Sequence, residues 1–346
     1  MRKIAKESNG HLCTGQAAAM SEVTGNNGFL PPGTIFAPAS IPHEVRQLNE
    51  SILERLSAAP DIWKFPLPEI RKARAQGRGS FPLKPADQHA FDRELTSRGG
   101  PLRVREIRPS GGTHRGTYLH IHGGGWVMGT PEENDWHLRA IADATGLRTI
   151  SVDYRLAPEH PWPACAEDCE DAALALLAET AGDKAHAWLI GGESAGAHLS
   201  VVTLIRVRDR LGRMPFRAAN LVAGCYDLAL TPSVRQWGEE KLILRTRDVV
   251  NFVERLAPGG VHSGDAEISP LHASLRGLAP ALFSCGTSDL LIDDSMMMAG
   301  RWLAAGNDAK LSLWPGGCHV FQHFDTEQAR GSLAEMNMFL AAHAGA

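Results

Sequence analysis

Serine 194 stands between two glycines in Gly192-Glu193-Ser194-Ala195-Gly196, directly after the apolar run Trp188-Leu189-Ile190. That order predicts a strand turning sharply into a helix. Such a turn pushes a hydroxyl out at the top of a sheet, and glycines two residues to either side omit β-carbons that would strike the neighbouring strand and helix. Ser194 is therefore the candidate nucleophile. A helix-capping serine in a glycine-rich turn would read the same way in isolation, so a second glycine run carries weight. His120-Ile121-His122-Gly123-Gly124-Gly125-Trp126 follows the strand-like Thr117-Tyr118-Leu119, and such a loop can aim bare backbone N–H groups at a developing oxyanion. Together the two segments fit acyl transfer. A nucleotide site does not fit, because the glycines miss the G-x-G-x-x-G spacing by one residue and the chain has no G-x-x-x-x-G-K-[ST]. His120 and His122 alternate at a strand end and could share a metal, but no third ligand stands near them in sequence, so no metal is expected.

A serine nucleophile needs a base, and the base needs a carboxylate to orient it; in a sheet-top site these follow the serine in the order acid, then histidine. Pro280 to Gly286 reads as a buried strand, and Asp289 lies on the loop beyond it. A helical stretch from Ile292 to Ala305 closes at Gly306, and the strand-like Lys310 to Trp314 then leads to Pro315-Gly316-Gly317-Cys318-His319. Asp289 and His319 thus occupy equivalent strand-end loops. Among 15 histidines, His323 is the main rival for the base, while His198 falls on the helix after Ser194, His262 and His272 precede Asp289, and His343 lies near the chain end. Asp293 and Asp294 rival Asp289, although acidic residues in a first helical turn also serve simply to offset the helix dipole.

With these residues in place, the chain resembles the bacterial hormone-sensitive lipase family of carboxylesterases. The resemblance is carried by His122 to Trp126, Asp153-Tyr154-Arg155-Leu156-Ala157-Pro158-Glu159-His160-Pro161, Gly192 to Gly196, Ile268-Ser269-Pro270-Leu271 and Asp289-Leu290-Leu291, and it covers roughly residues 95 to 340. It implies an α/β-hydrolase fold, mainly parallel and flanked by helices, with a helical cap. Ser194 is then the nucleophile, Asp289 the orienting acid and His319 the base, and the oxyanion hole comes from the N–H groups of Gly123, Gly124 and Ala195. Trp126, Glu193 and Val320 are the expected substrate-pocket residues. Two positions depart from the family pattern: Glu193 stands where aspartate is usual, and His319-Val320-Phe321 replaces His-Gly-Phe. The segment from Asp153 to Pro161 is expected to tie a loop together beneath the site through Tyr154, Arg155 and Glu159.

The elements that must position these groups are legible as alternating strands and helices from Leu102 onward. Strands are expected at about 102–107, 117–121, 149–152, 188–191, 219–223, 281–285 and 311–314, an alternation that argues for a mainly parallel sheet. Residues 1–30, polar and glycine-rich, are expected to form a flexible tail that reaches a neighbouring subunit or narrows the pocket. Residues 31–95 are expected to supply cap helices, and 96–346 the catalytic domain, with 226–262 as a second cap segment.

Of 346 residues, 43% are hydrophobic, enough for a sizeable core, and the net charge of −4 offers no basic footprint for nucleic acid. No run of about 18 apolar residues marks a membrane span. The six cysteines sit mostly in predicted core elements without a C-x-x-C pair, and no apolar leader follows Lys3 and Lys6; a reducing cytoplasm is the expected location. The expected partner is a small-molecule ester, the expected assembly a homodimer, and no cofactor is expected. Amide, lactone or thioester hydrolysis on the same residues, or a non-catalytic ligand receptor on the same scaffold, are the alternatives.

Overall fold

Five consecutive strands of the chain are buried along their whole length, as continuous apolar runs covered on both faces must be. The computed structural model describes residues 32–262 and 264–345, so the expected tail at 1–30 lies outside the described residues. The strands are β1 (Phe91–Ser97), β2 (Gly100–Ile107), β3 (Gly116–Ile121), β4 (Arg148–Val152), β5 (Ala187–Glu193), β6 (Ala218–Val222), β7 (Ala281–Gly286) and β8 (Ala309–Trp314). They form one sheet in the order β1-β2-β4-β3-β5-β6-β7-β8, in which β2 runs antiparallel to both its neighbours and the remaining pairs are parallel. This is the α/β-hydrolase architecture, and it places the carboxyl ends of β5, β7 and β8 along one rim.

The helices that cover the sheet are α3 (Asp135–Thr145), α4 (Ala164–Glu179), α5 (Ala195–Leu211), α8 (Ile292–Ala304) and α9 (Glu327–Ala344). α3 packs against α9, and α4 against α5. Leu138 and Ile141 of α3 meet Leu340 of α9 over Tyr118 and Leu189 of the sheet. The helix stops are local: α3 and α5 end at Gly146 and Gly212, both left-handed, where only glycine sits without strain. The five described cysteines are buried and unpaired, at 165, 169, 225, 285 and 318.

One boundary is corrected. The expected N-terminal cap at 31–95 runs too far, because β1 begins at Phe91 and pairs with β2 from Phe91↔Glu106 to Ser97↔Gly100. Phe-Asp-Arg-Glu-Leu-Thr-Ser carries little apolar signal because it is an edge strand, and charges on an edge discourage pairing with other chains. Its register is supported across the ladder by Asp92, which accepts from Arg103 and Arg105 at 2.9 Å each.

Before β1 come α1 (His43–Ala58) and α2 (Leu67–Ala75); α6 (Pro232–Trp237) and α7 (Thr246–Leu256) fall inside the expected second cap segment. α1 buries Val45, Ile52 and Leu56, a helical spacing that makes one stripe, and the last two pack with Cys318 and Phe321 beside His319. The two segments are joined to each other by polar bonds. The Trp63 indole N–H donates to Asp248 Oδ1 at 2.6 Å, and Asp61 pairs with Arg247 at 2.7 Å and Arg245 at 3.4 Å. Asp248 is buried and also accepts from the Arg245 N–H at 3.2 Å. Asp248→Ala leaves both donors without that acceptor and should cost about 1–3 kcal/mol, read as a lower urea midpoint at unchanged denaturant slope.

Candidate active site

Ser194 has φ 57° and ψ −122°, a conformation that side chains other than glycine rarely adopt. Strain of this kind costs on the order of 1–3 kcal/mol and persists only where the surroundings over-determine it. Here the serine N–H donates to Val222 O on β6 at 2.8 Å, and the His198 N–H returns to Ser194 O at 3.2 Å, so strand and helix clamp the turn from both sides. The flanking glycine is needed for space. A β-carbon at Gly196 would stand 1.9 Å from Ile121 O and 2.7 Å from His122 O.

His319 Nε2 lies 3.0 Å from Ser194 Oγ, and its Nδ1 lies 2.9 Å from Asp289 Oδ2. With Nδ1 facing a carboxylate, the proton sits on Nδ1 and Nε2 is left to accept from the serine. Asp289 is 1% exposed and is itself held by the Leu291 N–H on Oδ1 at 2.9 Å. The three residues read from strand-end position are therefore brought together from β5, β7 and β8.

The rivals have other work. Asp294 accepts from the N–H groups of Tyr226 and Asp227 and from Thr231 Oγ1, and Asp293 accepts from the Ser233 N–H, so both anchor the chain entering α6. Burial raises the Asp294 carboxyl to about 7, although these donors oppose the shift. His198 accepts from the Trp126 indole at 3.1 Å and donates to Ile268 O at 2.7 Å. Burial lowers it to about 4 against the pull of that carbonyl, so it stays neutral. His323 stands edge-on to Trp136, with ring centroids 5.6 Å apart. Cys318, next to the base, is buried, which pushes its thiol up to about 12 and keeps it out of nucleophilic chemistry.

The glycine loop corrects one expected oxyanion donor. The Gly123 N–H donates to Glu193 Oε1 at 2.6 Å and is not free. Among the described residues, the N–H groups of Gly124, Gly125 and Ala195 have no protein acceptor, which shifts the expected trio by one glycine. Gly124 has φ 114°, and a β-carbon there would sit 2.0 Å from Met128 O, so only glycine permits the turn. The turn closes on itself through the N–H groups of Val127 and Met128, both donating to Gly124 O at 3.2 and 3.1 Å.

The expected pocket residues are also reassigned. Trp126 is 2% exposed and spends its indole on His198, which makes it a buried support for the loop. Glu193 and Val320 line a small cavity with Tyr118, Asn220 and Met336 of α9, a lining that does not include Ser194. Glu193 reaches His120 Nε2 at 2.9 Å as well as Gly123, and Asn134 donates to it at 3.2 Å. His120 is held in turn by Ser151 Oγ at 3.0 Å. Burial would raise the Glu193 carboxyl, but His120 and the Gly123 N–H bring it below the usual carboxylate range. His120 and His122 are thus engaged separately, the latter with its own loop at Gly123 O and stacked 4.3 Å from Tyr154.

The segment from Asp153 to Pro161 does tie the loop from beneath. Tyr154 donates to His122 O at 2.9 Å, the Ala157 N–H to Trp126 O at 3.0 Å, and Arg155 pairs with Asp168 at 2.9 Å. The contact missed in sequence is that of α7 with the loop. The Phe252 ring of α7 lies where a β-carbon on Gly125 would be, 2.5 Å from its ring carbons, and Trp63 meets that ring edge-on with centroids 5.1 Å apart.

Two substitutions test this geometry. Gly196→Ala must displace the Ile121 carbonyl and should destabilise by about 1–3 kcal/mol or more, read as a lower urea midpoint. Glu193→Gln removes a buried charge that accepts from several donors and should cost about 1.5–3 kcal/mol at neutral pH. A lowered folded pKa stabilises fully above the ordinary value of 4.5, and this stabilisation is lost as pH falls through the folded value. The gap in melting temperature between wild type and Glu193→Gln should therefore narrow below pH 4.5.

Comparison with known proteins places the chain among relatives of the same fold. Residues 118–323 match the family described as alpha/beta hydrolase fold. The carboxylic ester hydrolase LipN of Mycobacterium tuberculosis is 34% identical over 271 residues, which span 73% of this chain and 72% of LipN. An esterase of Acinetobacter venetianus is 29% identical over 84% of this chain and 94% of its own length. Among solved structures, an esterase from the bacterial hormone-sensitive lipase family superposes with a TM-score of 0.74 at 30% identity, over 87% of this chain and 98% of that one. A hormone-sensitive lipase from a metagenome library gives 0.76 at 26% identity, over 88% and 100%. On the family match over residues 118–323 and the 30% identity with the solved esterase, the chain belongs to the α/β-hydrolase fold family, within the bacterial hormone-sensitive lipase group.

Proposed function

We propose that Ser194, Asp289 and His319 hydrolyse a small or short-acyl carboxylic ester through an acyl-enzyme. The observation that carries this is the unbroken chain from Asp289 through His319 to Ser194, at 2.9 and 3.0 Å. The protein is a carboxylic ester hydrolase of the serine type. His319 Nε2 takes the hydroxyl proton as Ser194 Oγ attacks the ester carbonyl, and Asp289 stabilises the imidazolium. The proton then passes to the leaving alkoxide, and water reverses the sequence to release the acid.

The N–H groups of Gly124, Gly125 and Ala195 bind the tetrahedral oxyanion, each contributing roughly 3 kcal/mol to lowering the barrier. No step requires a cofactor. The Phe252 ring, seated against Gly125 and met edge-on by Trp63, narrows the space beside the hole and supports a short-acyl preference. A receptor without hydrolytic activity is not favoured, because the attacking, basic and orienting groups are all at bonding distance.

Residues 33–75 and 232–256 act on this reading as a two-part cap, supported by their mutual bonds and by the Phe252 contact. Among the described residues, no helix is long and apolar enough to cross a membrane. Five buried free thiols support a cytoplasmic location, and the open edge of β8 supports a homodimer. Hydrolysis of p-nitrophenyl esters from acetate to palmitate should peak at short chains. Ser194→Ala should lower kcat by about 10⁴-fold or more without unfolding the protein; activity surviving in that variant would mean a different nucleophile.

A further inference from the structure

We propose that Arg71, on cap helix α2, is a positioning residue for the oxyanion loop, holding main-chain groups next to Gly124 and Gly125 without touching substrate. This rests on the reading of those glycines as oxyanion donors. Arg71 Nε donates to Val127 O at 2.6 Å, and its Nη2 donates to Ala157 O at 2.6 Å. The Ala157 N–H in turn holds Trp126 O, and the Val127 N–H holds Gly124 O. One planar guanidinium therefore spans two peptide units. One follows the glycine run within two residues, and the other braces that same turn from beneath.

The remaining face of the guanidinium forms a fork with Glu159, Nη1 to Oε1 and Nη2 to Oε2 at 2.9 Å each. Glu159 is 46% exposed, and an ion pair so wet contributes little by itself. Val127 and Ala157 are buried, and their carbonyls lose more if left without a donor. Glu159 thus orients the fork, while the two carbonyls are the groups the fork secures. A lysine could not replace it, since an ammonium lacks the flat array of donors that reaches both carbonyls and the carboxylate together.

Arg74, one turn along α2, gives the contrast. It also crosses from cap to body, but it bonds only the Glu133 carboxylate, at 2.6 to 2.9 Å, and no carbonyl of the glycine loop. Oxyanion donors act only when aimed within a few tenths of an ångström. Docking α2 through Arg71 therefore sets the aim of Gly124 and Gly125, and the N-terminal cap is part of the catalytic geometry as well as a cover.

The test compares full-length Arg71→Ala, Arg71→Lys, Arg74→Gln and Ser194→Ala with wild type. It measures kcat and KM for p-nitrophenyl butyrate and the inhibition constant of an alkyl trifluoromethyl ketone, whose hemiketal oxyanion occupies the hole. Arg71→Ala should lower kcat about 10- to 100-fold with KM within about threefold, and the inhibition constant should rise by a similar factor. Added guanidinium should restore part of the kcat, Arg71→Lys should fall between, and Arg74→Gln should match wild type. Wild-type kcat and inhibition in folded Arg71→Ala, or an equal loss in Arg74→Gln, would overturn the proposal. Should Arg71→Ala not fold, Arg71→Lys decides: a loss in kcat with KM held supports the proposal, and wild-type values overturn it. Activity persisting in Ser194→Ala would instead overturn the underlying mechanism, whereas an inactive Ser194→Ala beside an unaffected Arg71→Ala would remove only the role of Arg71.

Discussion

The close approach of the β5–α5 turn to the end of β3 governs the rest of the site. Gly192 and Gly196 leave the Ile121 carbonyl room that any β-carbon would take, at 2.1 and 1.9 Å. Because β3 continues into His122 and the glycine loop, the same contact that lets Ser194 adopt its strained φ also packs the serine turn against the start of that loop, where a β-carbon on Gly196 would meet His122 O at 2.7 Å. The proposed nucleophile and oxyanion donors are therefore positioned by one packing event between neighbouring parallel strands. The sheet bears the strain, since β5 is buried along its whole length.

Glu193 illustrates how a residue beside a nucleophile can act through main chain. It is a methylene longer than aspartate, and that length lets one carboxylate reach His120 on β3 and the Gly123 N–H together. His120 offsets the cost of burying the charge, and Ser151 on β4 fixes the imidazole. Three adjacent strands thus share a polar chain under the elbow. From the other side, Arg71 and the segment around Ala157 hold the carbonyls that follow the glycines, so the loop is fixed both at its start and at its end.

The proposed cap joins this scheme through few but specific contacts. Asp248 and Asp61 connect its two halves, Phe252 rests on Gly125, and α1 packs on Cys318 and Phe321 beside the base. In the proposed reaction, an apolar ring over the hole excludes water and so strengthens each hydrogen bond to a developing charge. Cap and body thereby meet at the two places where charge moves in the proposed reaction, the oxyanion and the imidazole.

Local chemistry along the chain pointed to Ser194, Asp289 and His319 as candidates, because a nucleophile turn, a strand-end acid and a strand-end base each leave a mark within a few residues, and the fold brings the three within bonding distance. The mainly parallel sheet was legible for a similar reason: buried strands are continuous apolar runs. β1 left no such mark, since a charged edge strand is defined by its partner β2 and by the ion pairs across the ladder. Tertiary structure alone decided which glycines keep a free N–H, because Gly123 is taken by a carboxylate 70 residues away. It also decided that Trp126 turns inward to His198 and that Arg71 reaches the loop, as the partners in both cases arrive from other elements. A hydrogen bond between distant residues depends on the relative placement of whole strands and helices, and that placement is set by packing the core.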